Sequence, residues 1–505
     1  MKHRTLKTLA VLAAIVLPTS AMAKADLVIA TDAPPKSMNP HAYSSDANLS
    51  YMSNFFDGLL QRKAPEGKLS PALAVKWQRV DALTWKFELR KGVKYSNGND
   101  FNAADVKFTF ERMKNPKYSK LLNIANSIAS IETPDDYTVI FKTKKPVPWF
   151  AETMHQNFIV DKESSVNRDD GDYNTHPIGT GAYKLVEWVK GSYIRMEANE
   201  NYWEGAPKYK TVEIRPITEE STRFAALAGK QVDIVNGVPV TLFDRVKSMK
   251  HIEVISQAAR RAIYMGIGNK PNTPFADIRV RKAIAHAINE KEIIEKIMRG
   301  QATMANQIPD VPTVGYDPSI KRYDYDPVLA RNLLAEAGYS DGFEITVAGP
   351  NDRYINDEKI CEAVAKYLAK IGLKVKLDVK PKSIFFDELT GKKHSFYLIG
   401  WFDGSFDFGR SAEKLLHTPD KDKGMGTYNG AEYSNPDIDA RIIASSSIID
   451  RGEREKALQK INRMSVEDVA WIPLHYQQDI FAVVKGKGIK FTPRSDRWIV
   501  VKEIK

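Results

Sequence analysis

Residues 398–410 read LIGWFDGSFDFGR, and after Trp401 the stretch sets Asp403, Asp407 and Arg410 among glycines and three phenylalanines. Burying ions beside aromatic rings is costly unless each ion is paired. Two carboxylates four residues apart can do general acid–base work at a cleft. That chemistry needs an activating neighbour, yet no histidine is near in sequence and the spacing matches no catalytic frame. Two other roles are open to these acids: pairing with the charges of a small solute, or serving as structural salt bridges and caps.

Other chemistry finds little support. The histidines are all separate, with no HExxH or His-x-His, so neither a metal site nor a cofactor is expected. Gly179-Thr180-Gly181 and Gly424-Met425-Gly426 are too short to cradle a phosphate and read as turns. No Gly-x-Ser-x-Gly frames a serine nucleophile. Cys361 is the single cysteine, so no intramolecular disulfide can form. It falls in a helical pattern and reads as a small buried side chain. An enzyme is not expected.

The elements that deliver these residues are strands of an α/β pattern. The run 396–401 reads as a buried strand ending at Gly400-Trp401. A second strand, 343–348, leads into Gly349-Pro350-Asn351-Asp352-Arg353-Tyr354, and a helix (357–371) and strand (373–379) lie between the two. In open α/β sheets, ligands sit outside the carboxyl ends of the strands. Arg353 and the Asp403/Asp407 pair are therefore expected to share one crevice, walled by Tyr354 and Trp401. Carboxylates for an amine and arginine for a carboxylate would suit a small zwitterion.

Before this region the chain alternates short strands (84–89, 137–143, 183–216) with helices. Asn102 with Asp105 reads as a capping box. The turn-rich stretch 270–274 marks a lobe boundary, and 471–476 with 480–484 read as strands returning to the first lobe. Residues 1–23 have the basic, apolar and Ala21-Met22-Ala23 parts of a cleaved export signal. The apolar run is too short to span a bilayer. Removing its three basic residues lowers the formal charge from +11 to +8. With no basic stripe interleaved with aromatics, nucleic acid is not an expected partner. About 480 residues remain, enough for two or three domains.

Several stretches resemble the family 5 extracytoplasmic solute-binding proteins of peptide/nickel-type ABC transporters. They are LSPALAVKW (69–77), TWKFELRKGVKYSNGNDFNAADVKFTFER (84–112), PIGTGAY (177–183), NYW (201–203), FADIRVRKA (275–283), AEAGY (335–339) and YSNPDID (433–439). The resemblance implies an α/β, two-lobed fold of the periplasmic binding protein type, with mixed sheets flanked by helices and a hinge of two connecting segments. Its lobes would be 24–268, with an inserted subdomain about 61–178, and 269–480, with 481–505 returning to the first. It implies a periplasmic monomer that closes on a peptide or similar zwitterion and hands it to a membrane permease. A metal chelate or another anionic solute is the alternative cargo, and a hydrolase using Asp403/Asp407 is a third reading. In peptide-binding relatives a Gly/Ser-Trp-x-x-Asp motif grips the free amine. Gly400 and Trp401 match it, but Gly404 takes the aspartate's place, so Asp403 or Asp407 is expected to substitute. Arg353 lies in the loop that carries a carboxylate-reading arginine in dipeptide-binding relatives. Asn39, in Met38-Asn39-Pro40, matches a first-lobe segment that lines the cleft.

Overall fold

The computed structural model describes residues 25–65, 67–166, 168 and 170–505, so the export signal expected at 1–23 lies outside the described residues. One eleven-stranded sheet runs through the molecule. Its order is Lys374–Lys380, Glu344–Pro350, Phe396–Trp401, Ile252–Ile267, Trp471–Val484, Ile234–Asn236, Leu27–Thr31, Thr211–Pro216, Tyr193–Ala198, Tyr183–Val189. Ala302–Met304 pairs off this path with Trp471–Val484.

The two long antiparallel strands at the centre, Ile252–Ile267 and Trp471–Val484, pass from one lobe to the other. Their halves feed different cores. Ile252, Ile480 and Ala482 pack with Val28 and Leu227, whereas Ile263, Met265, Ile472 and Leu474 pack with Ile345, Cys361 and Leu398. Between the halves the pairing register breaks from Ala258 to Ala262, and Arg260 takes a positive φ of 49°. The change of core thus falls inside the strands, before the turn at 270–274. That turn instead leads through Pro274–Ala276 into the helix Ile278–Ala287, which Asp277 caps.

On the first-lobe side, Val483 and Trp498 to Val501 pack with Leu27, Phe56 and Ile214, so the last residues of the chain return there. A separate core forms in the segment 59–159. Its four-stranded antiparallel sheet runs in the order Ala74–Arg79, Thr84–Leu89, Thr138–Thr143, Ile128–Asp135. Helix Ala103–Met113 covers it, with the capping box of Asn102 and Asp105 in place. Phe87 and Phe110 meet Phe141 edge-on at 5.6 and 5.0 Å, the geometry aromatic quadrupoles favour.

In the second lobe, Glu344–Pro350 is parallel to both neighbours, Lys374–Lys380 and Phe396–Trp401. Helix Asp357–Lys370 lays Ile360, Cys361, Val364 and Leu368 against this sheet. Burial pushes the Cys361 thiol well above its ordinary pKa, which suits a packing role and not a nucleophile. Because adjacent parallel strands end on one edge, the segments leaving Pro350 and Trp401 emerge side by side.

A charged cleft between the lobes

Those two segments border a cavity of about 680 Å³ whose opposite wall is the first lobe, from Asp46 and Leu49 to Lys120, Trp149 and Asn157. Arg353, Tyr354, Gly400, Trp401 and Arg410 all line it. Tyr354 is buried, and its hydroxyl donates to the Gly400 carbonyl at 3.1 Å. A Cβ on Gly400 would stand 2.7 Å from both Tyr354 Cε1 and Ile263 Cδ1, so glycine there is what lets the ring lie on the strand. Trp401 packs against Tyr428 with ring centroids 5.5 Å apart, and its Nε1 donates to Ser411 Oγ at 2.9 Å.

The two aspartates do not hold free charge at this cavity. Asp403 Oδ1 accepts from the Ser405 amide at 2.9 Å, the Ser405 hydroxyl at 2.7 Å and Arg410 Nη1 at 2.8 Å. Its Oδ2 accepts from Ser411 at 3.3 Å. Asp407 caps helix Phe408–Leu415 by accepting from the Gly409 amide at 2.9 Å. Its carboxylate also meets the Arg454 guanidinium with both oxygens, one at 2.8 Å. Asp407 is 2 % exposed and does not border the cavity. The expectation that Asp403 or Asp407 waits for a ligand amine is therefore corrected: each is matched by neighbours, so neither is available as a charge partner or as an acid–base pair. Arg410 reaches the cavity already tied to Asp403, whose carboxylate raises its pKa. Asn39 is fully buried away from the cavity. Its side chain donates to the Tyr118 carbonyl at 3.3 Å and accepts from the His41 amide at 3.1 Å, a structural role in place of the expected contact.

Two residues that sequence reasoning missed dominate the electrostatics. Arg261 lies at the register break of the crossing strand, and among the described residues its one ion pair is with Asp46 at 3.9 Å. Burial and then the neighbouring Arg353 guanidinium disfavour its charge. Arg353 itself makes no ion pair among the described residues and lies 5.3 Å from the Tyr354 ring. Both arginines and Tyr354 also line an adjoining hollow of about 450 Å³. The second missed residue is Glu413, buried on helix Phe408–Leu415 and facing the cavity. Arg410, Glu413 and Lys414 share one helix face by their i, i+3, i+4 spacing, a signal present in the sequence. Lys120, Lys145 and Lys423 bring the basic residues of the lining to seven, against Asp46 and Glu413.

Among the described residues, one group elsewhere has metal-ligand types. Asp378, Glu388 and His394 come together on the second lobe. There the Lys380 ammonium already bridges Asp378 at 3.1 Å and Glu388 at 2.9 Å, so the group is an ion-pair cluster.

A sheet that crosses between two lobes on a pair of strands, with a charged cleft at the carboxyl ends of parallel strands, defines a two-lobed solute-binding protein. The chain belongs to the bacterial extracellular solute-binding proteins, family 5, whose model matches residues 68–423. It is 27% identical over 493 residues to the glutathione-binding protein GsiB of Salmonella typhi, covering 96% of this chain and 95% of that one. Among solved structures, HbpA2 from Haemophilus parasuis shares the fold, with a TM-score of 0.85 at 22% identity, covering 95% of this chain and 99% of that one. The periplasmic binding protein DppA from Helicobacter pylori, in complex with the peptide STSA, matches with a TM-score of 0.74 and 27% identity, covering 95% and 97%.

Proposed function

We propose that this chain, exported and cleaved after Ala23, captures a small anionic, peptide-like solute in the cleft and delivers it to an ABC permease. The observation that carries the reading is the excess of basic side chains around the cavity, above all Arg261 and Arg353, whose nearest acid is 3.9 Å from Arg261. Like charges held side by side with so little compensation favour an incoming carboxylate, which a guanidinium can bind through two parallel hydrogen bonds. The cavity is within the range of about 300–1,000 Å³ common for small-molecule sites. The likeness to a glutathione-binding relative supports a solute with more carboxylates than amines. A hydrolase using Asp403 and Asp407 loses its support, because both carboxylates are engaged by guanidinium groups.

Isothermal titration of the mature protein tests this. Glutathione and tripeptides rich in glutamate should bind, with trialanine and trilysine weaker. Arg353→Ala should weaken acidic solutes by about 10- to 100-fold, as loss of a charged hydrogen-bond partner does, without lowering the thermal midpoint. Equal affinity for acidic, neutral and basic tripeptides would overturn the reading.

A further inference from the structure

Glu413 is the acid of this cleft with no close partner. It is 8 % exposed and borders the cavity, yet its carboxylate makes no hydrogen bond or ion pair with any described residue. Lys145, across the cleft, and Lys414, on the same helix, attract it only from longer range. Lys414 is drawn aside, its ammonium donating to the Gly424 carbonyl at 3.1 Å. Burial pushes the Glu413 pKa above the ordinary carboxylate range, and the two lysines pull it back. The contrast with Asp403 and Asp407, both furnished with donors, is sharp. The Glu413 side chain is largely buried while its carboxylate stays open to the cavity, so a donor arriving with the solute can reach it and offset the cost of its partial desolvation. Arg261 and Arg353 lie where the cavity meets the adjoining hollow, and Glu413 borders only the cavity, so the lining sets the arginine pair apart from this acid.

We propose that Glu413 is the specificity-determining residue that receives an ammonium group of the solute, while Arg261 and Arg353 receive its carboxylates. This rests on the anionic-solute reading and narrows it. The cargo class becomes a solute with one primary ammonium beside two or more acidic groups, and the amine contact moves from the 403–407 turn to the following helix.

The test is a titration of the mature protein with glutathione and with N-acetylglutathione, in the wild type, Glu413→Gln and Glu413→Asp. Acetylation should weaken wild-type binding about tenfold or more, as expected for a charged hydrogen bond. Glu413→Gln should lose a similar factor for the free amine and bind both forms alike, so that the two changes are not additive. Glu413→Asp should retain part of the preference for the free amine, and it keeps the test standing if the glutamine variant does not fold. The inference is overturned if the wild type binds both forms equally. It is also overturned if acetylation costs the same with and without the carboxylate, as it would were Glu413 only a latch for Lys145. A wild type that binds neither glutathione nor acidic tripeptides overturns the anionic-solute reading, and this inference falls with it. That result is distinct from binding that ignores the amine.

Discussion

Asp407 and Arg454 stand 47 residues apart in the chain and meet in a buried, two-toothed ion pair. Gly409 makes the meeting possible, because a Cβ there would lie 2.5 Å from Arg454 Nη2. Removing one partner leaves the other charged, buried and alone, which costs about 3–5 kcal/mol. Asp407→Ala should therefore lower the urea midpoint by that much stability, while the folded fraction keeps its solute affinity because the carboxylate does not face the cavity. Unchanged stability, or an affinity loss in fully folded protein, would contradict this assignment. The residue types and spacing in 403–410 correctly announced charges that must be paired. They could not announce with what, because Arg454 comes from the distant helix Arg451–Glu467 and Arg410 points back along its own segment to Asp403. Glu413 was open to reading, since its spacing places it on the helix face that also carries Arg410 and Lys414.

The strands Glu344–Pro350 and Phe396–Trp401 show what an element can fix without any charge. Their apolar runs and flanking loops made both legible, and parallel pairing then sets Tyr354 beside Gly400. Gly400→Ala should push the Tyr354 ring off the strand, with an overpacking cost of about 1–3 kcal/mol. Because Arg353 is carried next to that ring, acidic solutes should also bind more weakly; calorimetry would contradict the argument if stability fell and affinity held. The crossing strand Ile252–Ile267 was not legible. Its sequence IEVISQAARRAIYMGI has mixed polarity in the half that pairs with Val484 to Gln478 and an apolar run in the half that pairs with Tyr476 to Trp471, so no single period covers it. Its partner strand holds a pH-sensitive group. Burial pushes Asp479 up to about 6, against the opposing pull of Arg497 and Arg261. Since an unfolded aspartate titrates near 3.9, the folded state binds more protons between about 4 and 6, and stability should fall as pH rises through that window. Asp105 at about 6 and Glu290 at about 7 act in the same direction, both through burial. Burial holds His41 and His155 at about 3 and His475 at about 4, and these act in the opposite direction, so the share of Asp479 is read by comparison: the thermal midpoint of the wild type minus that of Asp479→Asn should fall as pH rises from 4 to 7. Parallel curves for the two proteins would show that Asp479 does not contribute.

At the scale of the molecule, the lobes touch at places other than the crossing strands. Arg79, on the inserted sheet, donates to the Ile448 carbonyl at 2.9 Å and the Ser446 carbonyl at 3.2 Å. These carbonyls lie at the end of helix Pro436–Ser447, where the backbone dipole favours a cation. Arg62 donates to the Ser405 carbonyl at 3.3 Å, and its guanidinium lies 3.9 Å from the Phe406 ring, with Arg260 at 4.6 Å from the same ring. We propose that such contacts exist only when the lobes are together and that opening proceeds at the register break between Ala258 and Ala262. Contacts made in one state alone shift the equilibrium by their own free energy, and apparent affinity falls with the closed fraction. Arg79→Ala removes two hydrogen bonds from a charged donor far from the cavity lining. It should weaken solute binding by about 3- to 10-fold through the closed population alone. Small-angle scattering should show a larger radius of gyration for the solute-free variant and the wild-type value at saturation. Affinity and scattering both unchanged would mean that this contact persists in the open molecule, and would place the moving surface elsewhere.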